Sequence, residues 1–142
     1  MKGYRNNPEA TKNAISEDGW FRSGDLASID EEGMVTIADR LKELIKVKGY
    51  QVPPAELEGV LKTHPDVLDA GVIGIPDART GEAPKAFVVL KEGRKAEGND
   101  ITEFVAERVA EYKRIKEIMF LDVLPKNASG KLLRRVLKEK YA

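Results

Sequence analysis

Three short segments carry more charged, aromatic and glycine residues than folding alone requires, and the first runs from Gly19 to Asp25. Gly24 allows tight backbone geometry, and Asp25 places a carboxylate close to the aromatic pair Trp20 and Phe21. A carboxylate in such a position can accept two hydrogen bonds from a ribose diol. An ordinary turn aspartate beside a strand explains the same residues, and on this segment alone that simpler interpretation is favoured.

The second segment, Asp39–Gln51, holds a cluster of cations. Four of them fall close together in the chain: Arg40, Lys42, Lys46 and Lys48. In a strand, Lys46 and Lys48 would share a face, so that an anionic ligand could contact both. Lysines also discourage edge strands from pairing with other chains, and without further context we favour that interpretation.

The third segment, Leu124–Leu132, superficially suggests a phosphate-binding loop. The P-loop pattern needs Gly where Pro125 stands and Ser or Thr where Leu132 stands, so it does not match. What remains is a flexible Asn-Ala-Ser-Gly loop that presents Lys131 just ahead of a helix. A lysine ammonium is a compact charge on a flexible stem and can reach into a site from outside. Taken alone, an ordinary surface lysine explains this segment equally simply.

Composition excludes several kinds of site and partner. The 142 residues amount to about one domain, and 42% hydrophobic residues are enough for a core. Twenty-four Lys and Arg balance twenty-four Asp and Glu, which argues against a dedicated nucleic-acid binder. The absence of Cys excludes disulfides, thiolate metal sites and a cysteine nucleophile, and His64 is the single histidine, which excludes a multi-His metal site. No signal sequence or membrane span is evident, so we expect a cytoplasmic protein.

Strands and helices alternate from Leu41 onward and predict an α+β fold, a small layered domain with a β-hairpin and a mixed sheet packed by about three helices. The predicted strands are Leu44–Lys48, Val67–Ile75, Lys85–Leu90 and Glu117–Leu121. The predicted helices are one opened by Pro53-Pro54, one capped by Asn99 or Asp100 that reaches Tyr112, and one from about Leu132 with Leu132, Leu133, Val136 and Leu137 on its apolar face.

The first 40 residues predict β structure without a partner. Trp20–Ile29 and Met34–Ala38 have strand character, and the turn sequence Asp30–Gly33 separates them. A lone two-stranded hairpin is marginal in water. We therefore expect an orphan β segment that belongs to something larger and is mobile, or packed on a neighbouring copy, in this chain.

In their order and spacing, the three segments resemble the C-terminal end of the adenylate-forming superfamily of acyl-CoA synthetases, luciferases and peptide-synthetase adenylation domains. Gly19–Leu26 matches the aromatic-(Ser/Thr)-Gly-Asp motif, and Pro125–Lys131 matches the terminal lysine motif. The hinge and the segment after it are matched by Asp39–Lys46, Gly49–Val52 and Pro54–Glu58. The resemblance covers essentially the whole chain and is nearest to the long-chain fatty acid and 4-coumarate branches. Three motifs in register outweigh the simpler interpretation of each.

The resemblance implies an ATP-dependent, AMP-forming acid–thiol ligase. Such an enzyme activates a carboxylic acid with Mg-ATP to an acyl-adenylate, releases pyrophosphate, and passes the acyl group to the thiol of CoA. Residues 1–40 would be the edge of a large N-terminal adenylation domain, ending at the hinge, and residues 41–142 the mobile C-terminal domain. Because the family's phosphate loop, adenine pocket and acyl tunnel lie in the N-terminal domain, we expect a C-terminal fragment that forms no acyl-adenylate by itself.

The resemblance also implies roles for single residues in the first half-reaction. Asp25 would hold the ribose hydroxyls of ATP, and Arg40 would contact the ribose or the phosphates. Lys131 would bridge substrate and nucleotide oxygens during adenylation. ATP, Mg²⁺ and CoA would be cosubstrates of the full enzyme, with none bound tightly by this chain and no metal site within it.

For the second half-reaction, the resemblance places the hinge at Lys42. After rotation about it, the turn from Lys46 to Gln51 would face the site in place of Lys131. Gly49 would let the CoA pantetheine pass close to the backbone, and Lys46 and Gln51 are weaker candidates for the thioester step.

Substrate and partners follow from the resemblance as well. The expected acid is a fatty acid, with a 4-coumarate-like or other aryl acid as the alternative, and the expected partner is the N-terminal domain. An amino-acid-activating domain that serves a carrier protein is a further alternative. A non-catalytic module that binds nucleic acid or membrane through the basic tail Lys126–Lys140 is the competing class, and the even net charge counts against it. No nucleic-acid partner is expected; peripheral membrane association and a homo-oligomer stay open.

Overall fold

Two separate sheets, joined by the short connection Leu41–Leu44, organise the protein in a computed structural model that describes all residues from 1 to 142. The first sheet is an antiparallel pair, β1 (Asp25–Ile29) and β2 (Val35–Arg40). The second has five strands: β3 (Ile45–Val47), β4 (Tyr50–Val52), β5 (Val67–Asp77), β6 (Gly81–Leu90) and β7 (Glu117–Phe120). Its order is β4-β3-β6-β5, and β7 pairs in parallel with β6, so the predicted mixed sheet is confirmed.

Four helices accompany the sheets, and three of them follow the connection, as predicted. They are α1 (Pro8–Ala14), α2 (Pro54–Lys62), α3 (Gly98–Ala106) and α4 (Arg134–Tyr141), with a 3-10 turn at Glu111–Lys113. None of the helices combines the length and the apolar composition that crossing a bilayer requires.

Alternating side chains of the two long strands, β5 and β6, build a core on each face of the five-stranded sheet. Ala86 and Val88 of β6 join a cluster with residues of α2 and α3, including Leu57, Leu61 and Ile101. Phe87 and Val89 point the other way, into a cluster that α4 closes with Leu137. The domain is thus a sheet between two helical layers, which confirms the predicted α+β class and leaves the two-stranded sheet outside the core.

Several predicted boundaries were wrong. The first strand begins at Asp25 and not at Trp20, because Gly24 has φ +75° and turns the chain away from the β region. β5 runs through Pro76 to Asp77, since it is an edge strand and a missing N–H is tolerated there. Lys48 does not share a strand face with Lys46: with φ +49° it occupies, with Gly49, the two-residue turn of the β3–β4 hairpin.

The helix predictions also need correction. α1 was not predicted, although Asn7 caps it through the Ala10 amide and Pro8 opens it. α3 begins at Gly98 without a side-chain cap and ends at Ala106, so Tyr112 lies in the 3-10 turn. The last helix begins at Arg134. Of its four predicted apolar residues, only Leu137 is fully buried.

Candidate functional site

Asp25 and Arg40 face each other across the two-stranded sheet, where they form the last pair of its register. The Arg40 Nε lies 2.9 Å from Asp25 Oδ1. The pair lines an open cavity of about 720 Å³ together with Phe21 and Ser23. Asp25 keeps a second carboxylate oxygen and Arg40 keeps further N–H groups, so the pair can accept from hydroxyls and donate to phosphate oxygens at the same place.

The connection between the two sheets forms a turn with Lys42 at its centre. Leu41 donates its amide to the Gly24 carbonyl at 2.9 Å, and Glu43 donates to the Arg40 carbonyl at 3.0 Å. The Lys42 side chain is exposed and also borders the cavity of Asp25 and Arg40.

Lys131 ends a loop whose backbone is held from within. Asn127 Oδ1 accepts from the Ser129 amide at 3.1 Å, the Ser129 hydroxyl at 2.8 Å and the Lys131 amide at 2.8 Å. Gly130 occupies the left-handed region with φ +81°, and a bridge between Lys126 and Leu132 closes the loop. The segment expected to be a flexible loop is therefore a closed turn with an internal scaffold.

The Lys131 side chain itself is exposed and makes no ion pair. It does not line the cavity that Asp25 and Arg40 share. Its ammonium is free to meet an anion brought from elsewhere.

Asp69 of β5 anchors the start of this loop. Its carboxylate lies 2.5 Å from the Lys126 Nζ and 3.1 Å from the Lys62 Nζ of α2. Partial burial raises the pKa of Asp69, but hydrogen bonds from Lys126 and Lys62 outweigh burial and hold that pKa below its ordinary value. The loop is thus fastened to the sheet by a carboxylate that stays ionised.

Arg134, at the start of α4, joins the loop to α2 and to the connection. Its guanidinium donates to both oxygens of Glu58, at 3.0 and 2.7 Å, and also to Glu43, the residue after Lys42. Glu58 Oε1 additionally accepts the Val72 amide at 2.9 Å. Burial works to lower the pKa of Arg134, but the hydrogen bonds and charges of Glu58 and Glu43 raise it overall.

Lys46, Gly49 and Gln51 lie together on the β3–β4 hairpin. Lys46 and Gln51 are direct partners in its register, and both are exposed. Gly49 sits at the tip with φ +85°, and a Cβ there would meet no atom within 4 Å. The backbone at this tip is therefore open to close approach from outside.

A basic cavity of about 520 Å³, which was not predicted from the sequence, adjoins this hairpin. Its cations come from three places in the chain: Lys48, Arg79, Arg114 and Lys116. Tyr50 and Tyr112 stack beside it with ring centroids 4.4 Å apart. Lys116 is paired with Asp77, and this hydrogen bond, with others from Thr80, holds the pKa of Asp77 far below its ordinary value. The run Tyr112–Lys116, in which an aromatic residue is followed by cations, is the feature of the sequence that could have predicted this cavity.

The structure brings together Asp25 with Arg40, and Lys46 with Gln51, but it does not gather all the predicted residues into one pocket. Arg134, three residues after Lys131, binds Glu43 in the connection between the two sheets. No group of three or more His, Asp or Glu side chains is placed to hold a metal ion.

Comparison with known proteins supports one family. A family model described as AMP-binding enzyme C-terminal domain matches residues 56–131. The 4-coumarate–CoA ligase 3 of Oryza sativa subsp. japonica is 52% identical over 142 residues, covering 100% of this chain and 26% of that protein. The chain spans about a quarter of the length of the curated relatives it matches.

Solved structures that resemble this chain over almost its whole length differ from one another in their TM-scores. ATP-bound MatB from Rhodopseudomonas palustris is 38% identical, with a TM-score of 0.92 over 99% of this chain and 28% of that one. Apo MatB has the same identity and coverage, but its TM-score is 0.72. The fatty acyl CoA synthetase of Mycobacterium tuberculosis is 44% identical, again with a TM-score of 0.72 over 99% of this chain and 28% of that one. The arrangement described here is closer to ATP-bound than to apo MatB.

Proposed function

The chain belongs to the AMP-binding enzyme C-terminal domain family, and from this membership we propose that it is the mobile C-terminal part of an AMP-forming acid–CoA ligase. The complete enzyme would first join a carboxylate to the α-phosphate of ATP, giving acyl-AMP and pyrophosphate. The CoA thiol would then attack the acyl carbon, giving the thioester and AMP. The observation that carries the proposal is Lys131, an unpaired ammonium at the end of an internally scaffolded loop.

Lys131 supplies the first half-reaction with positive charge where two anions meet. The attacking carboxylate and the α-phosphate repel each other, and negative charge accumulates on phosphate oxygens as the new bond forms. A positioned cation lowers that barrier because it interacts more strongly with the transition state than with the separated reactants. The hydrogen bonds of Asn127 fix the Lys131 backbone, so that only the side chain needs to be ordered.

Asp25 and Arg40 hold the nucleotide in this proposal. The Asp25 carboxylate accepts from the ribose hydroxyls, and the Arg40 guanidinium donates to ribose or phosphate oxygens. Their salt bridge orients both groups beforehand. Because the Arg40 side chain is 55% exposed, turning toward a phosphate costs little of the pair's own energy.

The hairpin at Lys46–Gln51 serves the second half-reaction. Rotation of the domain about Lys42 replaces Lys131 with this hairpin at the reacting centre, a rigid-body switch. The open backbone at Gly49 gives pantetheine a path without a side chain, and Lys46 and Gln51 flank it. The cations of the adjoining basic cavity, Lys48, Arg79 and Arg114, offer partners for the CoA phosphates.

The acid is proposed from the relatives' names. A 4-coumarate-like aryl acid is the first candidate, because the rice relative named for that acid is 52% identical. A fatty acid, the acid expected from the sequence, is the second candidate, supported by the 44% identity to a fatty acyl CoA synthetase. Comparison of kcat/KM over a panel of aryl and fatty acids with the complete enzyme ranks the two.

The competing class is a module that binds nucleic acid or membrane through its basic tail. Ion pairs that the tail's cations form within the chain count against it. Lys126 is paired with Asp69, Arg134 with Glu58, and Arg135 with Glu139. Three cations of the tail are thus engaged within the chain itself.

The test of the proposal is Lys131→Gln in the complete enzyme. Adenylation, followed as pyrophosphate release, is expected to fall by about 10²- to 10³-fold, the usual cost of losing one electrostatic donor. Thioester formation from supplied acyl-AMP and CoA is expected to change less than about threefold, since Lys131 has left the site by then. Lys95→Gln, an exposed lysine on the loop before α3, is the matched control. Adenylation at an undiminished rate in Lys131→Gln would refute the proposal, and the isolated chain is expected to release no pyrophosphate.

A further inference from the structure

Asp39 is a buried carboxylate in the two-stranded sheet with a partner on the far side of the connection. Asp39 and Glu58 are the two buried charged residues of the protein, and Asp39 is 8% exposed. Asp39 Oδ1 accepts the Arg40 amide at 2.8 Å, and Asp39 Oδ2 accepts the Ala55 amide of α2 at 3.0 Å. The second bond joins residues that are sixteen positions apart.

Helix α2 has no cap of its own to replace this bond. The residue before the helix is Pro53, which has no side-chain acceptor, and Pro54 has no amide hydrogen. Ala55 is therefore the first residue of the helix that presents a free N–H. A carboxylate stabilises this end of the helix in two ways. It accepts the hydrogen bond from the free N–H, and its negative charge interacts favourably with the positive end of the helix dipole.

The helix that Asp39 caps is fixed firmly to the rest of the domain. Leu57 and Leu61 are fully buried in the core, and Glu58 binds both the β5 backbone and Arg134. A bond to the first turn of α2 is therefore a bond to the whole domain that follows Leu44.

Rotation about Lys42 separates Asp39 from Ala55, because the two residues lie on opposite sides of the connection. The pair of Arg134 with Glu43 lies entirely after Lys42 and moves with the domain. The Asp39–Ala55 hydrogen bond therefore forms in only one of the two orientations of the domain. That orientation matches ATP-bound MatB with a TM-score of 0.92 and apo MatB with 0.72.

We infer that Asp39 acts as a latch. Its hydrogen bond to the first turn of α2 crosses the connection and holds the domain in the adenylation orientation, and this bond breaks when the domain rotates. Asp39 is a positioning residue that touches neither substrate nor reacting atoms. The functional meaning of the latch rests on the proposed rotation, whereas the contact itself can be tested in this chain without nucleotide, acid or CoA.

Two measurements on the 142-residue chain test the latch. The first is exchange of the Ala55 amide hydrogen by NMR, with Val72 and Phe87 amides as monitors of the intact core. The second is energy transfer between dyes at Ser28→Cys and Lys95→Cys, exposed positions on either side of the connection. The chain contains no cysteine, so only these two sites are labelled.

Asp39→Ala is expected to speed Ala55 exchange about tenfold, as loss of a helix cap does, and to broaden the distribution of transfer efficiencies. Asp39→Asn keeps one acceptor oxygen and is expected to give a smaller rise. Asp30→Ala is the matched control, because Asp30 caps the β1–β2 turn through Glu32 and Met34 amides and does not cross the connection. Unchanged exchange and transfer in both Asp39 variants, or equal effects in Asp30→Ala, would overturn the inference and leave the role of Lys131 unaffected.

Discussion

Charged side chains in this protein fall into two groups, those bound to partners within the chain and those left free. Asp69, Glu58 and Arg134 each make several contacts. Lys131 and Lys46 make no ion pair with their ammonium groups. A lysine that is already paired with a carboxylate must break that ion pair before it binds phosphate, and this cost lowers its net affinity for phosphate. Several other lysines are unpaired as well, but Lys131 and Lys46 lie one on each proposed working face, where an unpaired ammonium can bind an incoming anion.

The Asp69 anchor gives a pH-dependent prediction. Because its pKa is lowered in the folded chain from an ordinary value of 3.8, its carboxylate contributes stability that is fully present above that value. The contribution disappears as pH falls through the folded-state pKa. Asp69→Asn is expected to destabilise by at most about 1 kcal/mol at pH 7, as a partly exposed ion pair does, and by progressively less below about pH 4.

Urea unfolding of wild-type and Asp69→Asn chains across that pH range measures the difference. Asp122→Asn, an exposed aspartate without an ion pair, is the control and is expected to change stability by less than about 0.5 kcal/mol at every pH. A difference between wild type and Asp69→Asn that grows toward acid would contradict the prediction.

At the scale of elements, the sequence predicted what local pattern determines and missed what tertiary contacts decide. The apolar run in Lys85–Leu90 identified β6, and Pro53-Pro54 identified the start of α2, because both signals lie within a few residues. The internal pairs of Arg134 depend on residues far along the chain. The basic cavity was missed for the same reason: its cations become neighbours only after β5, β6 and the 3-10 turn have packed.

Helix α4 offers a prediction from two adjacent arginines with different surroundings. Arg134 is 13% exposed between Glu58 and Glu43, whereas the side chain of Arg135 is 87% exposed beside Glu139. Arg134→Ala leaves two carboxylates without their cation in a partly buried place, and it is expected to cost about 2 to 3 kcal/mol. Arg135→Ala removes a surface pair and is expected to cost less than about 0.5 kcal/mol. Urea midpoints for the two variants provide the measurement, and equal losses would show that the Arg134 network contributes nothing of its own.

At the scale of the whole molecule, the two parts differ in how well they cover their apolar residues. Both hydrophobic clusters consist of residues after Leu44. In the first part, large apolar side chains stay exposed, with Trp20 at 75%, Ile29 at 70% and Ile37 at 60%. Such a contrast is expected when the first part of a polypeptide is part of an adjacent domain. It supports the predicted boundary near Lys42 and the expectation that the first part is the edge of a large N-terminal domain.

Removal of residues 1–41 tests this division directly. The chain 42–142 keeps both clusters, the five-stranded sheet and the Arg134 network, so it is expected to unfold cooperatively in urea. Its free energy of unfolding is expected to be lower than that of the whole chain by about 1 kcal/mol, because α2 loses the cap supplied by Asp39. Asp39→Ala in the whole chain is the matched comparison and is expected to lose a similar amount, since the rest of the first part contributes little to the core. A loss above about 3 kcal/mol in the truncated chain alone would mean that the two-stranded sheet stabilises the domain through more than this single bond.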